Sequence, residues 1–95
     1  MDERITEDTR IQRTQGLLES DVAGDVIALD IQNGQCFGFN SVASAVWHSL
    51  ERETSVAEIC ETLTSEFEVA ESECKEAVIR FVRELHSEGL VELMN

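Results

Sequence analysis

The sequence predicts a small α+β domain in which short strands come first and helices follow. Three observations carry this. A β-branched run over 26–31 leads into Asn33-Gly34, the strongest short-range hairpin signal in the chain, and a return strand over 35–39 follows. Asn40 or Ser41 can then cap an amphipathic helix that holds the only tryptophan, Trp47. Two more stretches, 56–67 and 71–88, repeat apolar residues at helical spacing.

Length and charge bound what such a domain can do. Ninety-five residues make one domain, and a chain of this size buries roughly 60–68% of its unfolded surface. That suffices for one modest core and no second module. Twenty Asp and Glu against seven Lys and Arg leave a net charge of −13. Nucleic-acid affinity is built from Lys and Arg clustered on phosphates, so no nucleic acid is expected as a partner. Anionic membranes repel such a chain as well, and no apolar run approaches the about 20 residues of a membrane span. Cys36, Cys60 and Cys74 form neither a metal-ligand spacing nor a disulfide framework. With no apolar signal segment, they point to a reducing cytoplasm, and each is expected to serve as a small buried hydrophobe.

Residues 1–14 have Ile5 and Ile11 as their only branched apolar side chains. They are expected to form a flexible N-terminal tail or a weakly docked first strand, with the domain proper over 15–95. A short strand is a candidate over 16–20. In the return strand, Phe37 and Phe39 share one face while Cys36 and Gly38 share the other. Both phenylalanines are assigned to the core, and Gly38 marks a place where another backbone can come close. The first helix runs to about Leu50, with Val42, Ala43, Val46, Trp47 and Leu50 as its buried stripe and His48 off it. Residues 52–54 make a turn. Ser55-Val56-Ala57-Glu58 has the form of a capping box, and the helix it opens buries Val56, Ile59, Cys60, Leu63 and Phe67. The third helix begins with Glu71, Glu73 and Glu76, which suit the positive end of its dipole. Gly89 fits its C-terminal cap, and 90–93 leaves as a short extended segment.

That third helix carries two adjacent stripes. Cys74, Val78, Phe81 and Leu85 form one; Lys75, Ile79, Val82 and His86 form the other. One stripe is enough to dock the helix on two others. The second is either part of a wide core face or one wall of a groove beside the return strand. The chain has no nucleophile elbow, no glycine-rich phosphate loop and no H-E-x-x-H. No metal partner is spaced for His48, and the sequence places neither His48 nor His86 near a cysteine or serine. No enzymatic activity, metal or cofactor is therefore expected.

The stretch Asn33-Gly34-Gln35-Cys36-Phe37-Gly38-Phe39-Asn40, followed by Ala45-Val46-Trp47, resembles the PqqD family, whose members typically read G-x-Y-Y-G-L-N before a helix with I-W. The likeness continues through Val56-Ala57-Glu58-Ile59, Leu63, Val78, Phe81-Val82, Leu85 and Gly89-Leu90, and covers about residues 15–93. The resemblance implies a winged-helix-like fold, a three-stranded antiparallel sheet packed beside a three-helix bundle. It also implies a recognition element for ribosomally synthesised, post-translationally modified peptides, which takes up the leader of a precursor peptide as an extra strand. Carried onto this chain, the peptide-binding residues are Gln35, Cys36, Phe37, Gly38 and Phe39 on the strand, with Lys75, Ile79, Val82, Arg83 and His86 on the helix. Lys75 and Arg83 would attract carboxylates of the leader. Cys36 and Phe37 stand where the family has Tyr or Trp, and Phe39 replaces its leucine, so the pocket shape departs from the family's. Ala70-Glu71 replaces the usual acidic or proline opening of the third helix, which leaves that cap weak.

The partners so implied are a leader peptide and a modifying enzyme such as a leader peptidase, a cyclase or a radical-SAM enzyme. The pathway would be lasso-peptide assembly or one like that of pyrroloquinoline quinone. Two other classes stand beside this reading. A winged helix-turn-helix regulator needs a basic recognition helix, but 56–66 holds no Lys or Arg. A dimerisation module would pair its sheet edge with a second copy of itself.

Overall fold

The computed structural model describes residues 5–94. In chain order the elements are β1 (Arg10–Arg13), β2 (Leu18–Val22), β3 (Asp25–Asp30), β4 (Gln35–Phe39), α1 (Ser41–Ser49), β5 (Thr54–Ser55), α2 (Val56–Glu66), α3 (Glu71–Ser87) and β6 (Val91–Leu93). The strands form two antiparallel three-stranded sheets, ordered β5-β1-β6 and β2-β3-β4. The second is the sheet the sequence leads one to expect, packed beside three helices. The first is small and knits the two ends of the domain together.

That small sheet decides between the two expectations for the N-terminal segment, a tail or a docked first strand. Residues 10–13 do not trail from the domain; they form the middle strand of the small sheet. Ile11 is fully buried, between Thr54 of β5 and Leu93 of β6. Ile5 is buried too. The Arg13 and Thr14 amides donate to the Leu50 and Leu90 carbonyls at 3.1 and 2.9 Å. Arg10 spans Glu53 and Glu58 at 3.1 and 2.8 Å, and its guanidinium, helped by the Thr54 hydroxyl, holds the Glu58 carboxyl below the usual carboxylate range. Residues 1–4 of the expected tail lie outside the described residues.

Two turns order the larger sheet. Ala23 and Gly24 join β2 to β3 with φ of 55° and 91°, the two-residue hairpin in which both central residues take positive φ. Asn33-Gly34 closes a wider turn, since β3 ends at Asp30 opposite Gln35. Only Gly34 of that pair has a positive φ, 66°. Asn33 instead folds back on the buried Asp30 carboxylate, donating from its side-chain amide at 2.7 Å and from its backbone at 3.3 Å.

The helix ends follow local chemistry. Asn40 Oδ1 accepts from the Ala43 amide at 2.9 Å and starts α1. Ser55 Oγ accepts from the Glu58 amide at 3.3 Å and starts α2. Glu58 does not complete a capping box, because its carboxylate is taken by Arg10 and Thr54. Ala70 offers α3 no side-chain cap. At its other end Gly89 (φ 77°) lets the Leu90 amide reach the Leu85 carbonyl at 2.9 Å and its own amide reach His86 at 3.1 Å, a Schellman closure.

One core lies between the inner face of the larger sheet and the helices. Val26 and Ala28 of β3 and Phe39 of β4 meet Val46, Trp47 and Leu50 of α1, Ile59 and Leu63 of α2, and Val78, Val82 and Leu85 of α3. Trp47 is the pivot. Its indole N–H donates to Glu19 Oε1 at 3.0 Å, and Arg13, whose guanidinium lies 4.5 Å above the ring, bonds the same carboxylate oxygen at 2.6 Å. Arg13 also donates twice to the Trp47 carbonyl. Three elements, β1, β2 and α1, are tied at this point.

Candidate functional site

Strand order places β4 at the rim of the larger sheet, where among the described residues it pairs with β3 alone. The direction of its main-chain groups follows from the hairpins. A two-residue turn at 23–24 makes Val22 and Asp25 the closing pair, so Asp25, Ile27 and Leu29 bond toward β2. Val26, Ala28 and Asp30 then bond toward β4, to Phe39, Phe37 and Gln35. What remains on β4 is the main chain of Cys36 and Gly38, whose N–H and C=O groups point outward from the sheet. At the end of the strand Ser44 supports this arrangement. Its buried hydroxyl accepts from the Val26 amide at 2.9 Å and donates to the Phe39 carbonyl at 3.1 Å, filling the last rung of the ladder.

Beside that rim runs a channel of about 410 Å³ between β4 and α3. Cys36, Phe37, Gly38 and Phe39 form one wall; Phe81, Glu84, Leu85, Ser87 and Glu88 form the other, with Leu90 below. The rings of Phe39 and Phe81 meet edge to face, centroids 5.7 Å apart, and Phe39 rests in turn on Trp47 at 5.2 Å. From this aromatic contact the two walls run in opposite sequence directions, toward Cys36 on the strand and Glu88 on the helix. A second hollow of about 390 Å³ opens on the other side of Phe81. It is almost wholly apolar, bounded by Val42, Ala43 and Val46 of α1, Leu63 and Phe67 at the end of α2, Val69, and Ala77 and Val78 of α3. Val42 and Val69 at its mouth are 44% and 43% exposed, so apolar surface faces solvent there.

The structure thus brings Cys36, Phe37, Gly38 and Phe39 together with α3, but through a different face of the helix than the sequence suggests. Val82 is 0% exposed and belongs to the core, so it has no surface to offer a guest. The Lys75 ammonium bonds Glu7 at 3.2 Å beside Cys60 and Thr64 of α2. Ile79 is half-buried against the core, Arg83 is exposed, and His86 is half-buried. None of these five lines the channel. Gln35 is exposed at the start of β4 and pairs with Asp30. The wall residues Phe81, Glu84, Leu85 and Glu88 had a signal in the sequence: Phe81 and Leu85 sit on the first apolar stripe, with Glu84 and Glu88 alongside at i+3. That stripe continues past the core into the channel.

The cysteines divide. Cys60 and Cys74 are buried neighbours on α2 and α3, as their apolar positions imply, while Cys36 is exposed on the rim, contrary to its expected burial. Burial, reinforced by the Cys74 thiol beside it, pushes the Cys60 thiol up to about 12. Among the described residues no helix is long and apolar enough to cross a membrane.

The sequence profile of the family described as Coenzyme PQQ synthesis protein D (PqqD) matches residues 25–91, from the start of β3 into β6. The chain belongs to the PqqD family. Two solved structures share its fold. One is TbiB1 in complex with the TbiA(beta) leader peptide, 25% identical, with a TM-score of 0.79 over 85% of this chain and 94% of that one. The other is a lasso peptide synthetase B1 complexed with the leader peptide, 21% identical, with a TM-score of 0.77 over 86% of this chain and 96% of that one. No curated protein matches the sequence. The α+β, winged-helix-like architecture expected from the sequence is the architecture of these relatives.

Proposed function

We propose that this PqqD-family protein binds the leader segment of a ribosomally made precursor peptide as a fourth strand along β4 and presents it to a modifying enzyme, performing no chemistry itself. The observation that carries this is the rim of β4: outward main-chain groups at Cys36 and Gly38 beside a channel that holds Phe37, Phe39, Phe81 and Leu85. Strand addition draws affinity from such main-chain bonds and specificity from pockets for alternate side chains. In this reading the leader's inward side chains lie against Phe37, Phe81 and Leu85, and a bulky apolar one reaches the hollow beyond Phe81. From Glu73 to Glu88 the helix wall extends about 22 Å at 1.5 Å per residue, the length of about seven extended residues. The fold match to TbiB1, a protein solved with a leader peptide bound, supports the reading. So does the match to a lasso synthetase B1 in fold, and lasso-peptide assembly is the pathway we favour. The modifying partner would be a leader peptidase, a cyclase or a radical-SAM enzyme.

The test is a titration of the leader peptide encoded beside this chain's gene into isotope-labelled protein. Amide shifts should concentrate at residues 35–39 and 81–88. Shifts confined to α2 would remove the rim of β4 from the site.

A further inference from the structure

We infer that Glu84 and Glu88 make the channel selective for a guest peptide with a lysine or arginine two residues from the apolar residue that covers Phe81. This rests on the strand-addition reading above and gives it a chemical preference. Two carboxylates one helical turn apart are ordinarily a solvated face. Here they stand on the wall of a channel whose opposite wall is an unpaired strand rim, so a bound backbone would be held within their reach. Among the described residues no lysine or arginine lines that channel. The ion pairs that join Arg10 to Glu53 and Glu58, Arg13 to Glu19 and Lys75 to Glu7 do not involve Glu84 or Glu88. Lys75, expected to greet an acidic leader, pairs with Glu7 in the hollow beside α2 and does not line the channel.

Spacing sets the position. Glu84 and Glu88 lie three and seven residues past Phe81, so their midpoint is about 7.5 Å along the helix. Successive inward side chains of an added strand are about 6.8 Å apart. The inward residue next to the one over Phe81 therefore faces the two carboxylates. A lysine or arginine there can lay its methylene stem on Leu85 and keep its charge at the rim. The net charge of −13 favours approach of the same kind of peptide.

The experiment selects a displayed library of random 12-residue peptides on the purified full chain, and in parallel on the Glu84→Lys/Glu88→Lys protein. Peptides recovered on the unsubstituted protein should alternate apolar residues and hold Lys or Arg at one fixed position. The charge-reversed protein should recover Asp or Glu at that position. A recovered peptide remade with Glu for its Lys should bind the unsubstituted protein roughly tenfold more weakly, two exposed pairs being worth about two- to fivefold each. Should the reversed protein fail to fold, Glu84→Gln/Glu88→Gln must lose the Lys or Arg preference instead. If both proteins recover the same charge-indifferent apolar pattern, strand addition stands and the selectivity falls. If neither recovers a pattern, or the recovered peptides shift no amide of residues 35–39, the binding site itself is misplaced and the selectivity falls with it.

Discussion

Replacing Gly38 by proline tests the rim of β4 at a single atom. The register gives Gly38 an N–H that leaves the sheet, because its neighbours Phe37 and Phe39 supply the bonds to β3. Proline removes that donor and nothing from the existing ladder, the circumstance in which a rim strand tolerates it. The free protein should keep its stability to within about 1 kcal/mol, with some gain from a stiffer unfolded chain. A bound guest loses more. One main-chain hydrogen bond is worth about 0.5–1.5 kcal/mol, and a guest carbonyl stranded in the channel costs about 1–3 kcal/mol. The two effects overlap, and a net loss of about 2 kcal/mol weakens Kd roughly thirtyfold. Gly38→Ala is the control. A Cβ built there meets nothing within 4 Å and the donor survives, so affinity should change by no more than about twofold. The assay is fluorescence anisotropy with a labelled leader peptide, with thermal melting of each variant alongside. A proline variant that melts like the unsubstituted protein and binds equally well would refute the reasoning. One that does not fold would show that the Gly38 amide is already used within the sheet.

Other expectations concern the fold and its titrating groups. Val82→Asp places an unpaired charge at a fully buried site and should cost about 3–5 kcal/mol, read as loss of cooperative melting by circular dichroism; a well-folded variant would contradict the burial. Ala23→Asn should stabilise by about 0.5–1 kcal/mol in urea titration, since Ala23 has φ 55° and Asn-Gly suits this turn far better than Ala-Gly. The raised Cys60 thiol gives a pH dependence whose sign is fixed. The unfolded thiol loses its proton near pH 9 while the folded one holds it to about 12, so stability from this group is intact below pH 9 and falls as pH climbs from 9 toward 12. Denaturant midpoints across that range, compared with Cys60→Ala, measure it. Under native conditions at pH 8, an alkylating reagent should mark Cys36 first, because Cys60 and Cys74 are buried.

Much of the architecture was legible because it is locally encoded. The stripe Val46, Trp47 and Leu50, the Ser55 cap and Gly89 each depend on neighbours within a turn or so, and each took the role its chemistry suggests. The strand 35–39 was legible too, through Asn33-Gly34 and the alternation of Phe37 and Phe39. Local signals misled where a longer-range partner intervened. Asn33 was free to take positive φ but found the Asp30 carboxylate. Glu58 could have closed a capping box, but Arg10, arriving from β1, took its carboxylate.

By itself the sequence determined an acidic α+β fold, its three helices, and a strand just before the first of them. All of these rest on period, capping and charge, which are properties of neighbouring residues. Only the tertiary structure decided that Ile11 anchors a central strand, since one isoleucine among polar residues becomes core only when Thr54 and Leu93 arrive on either side. It also decided which stripe of α3 faces the rim. Val82 and Phe81 are adjacent and equally apolar, and 100° of helical rotation separates a side chain sealed in the core from one that borders the channel. The angle at which α3 docks, set by packing across the whole core, settles that difference.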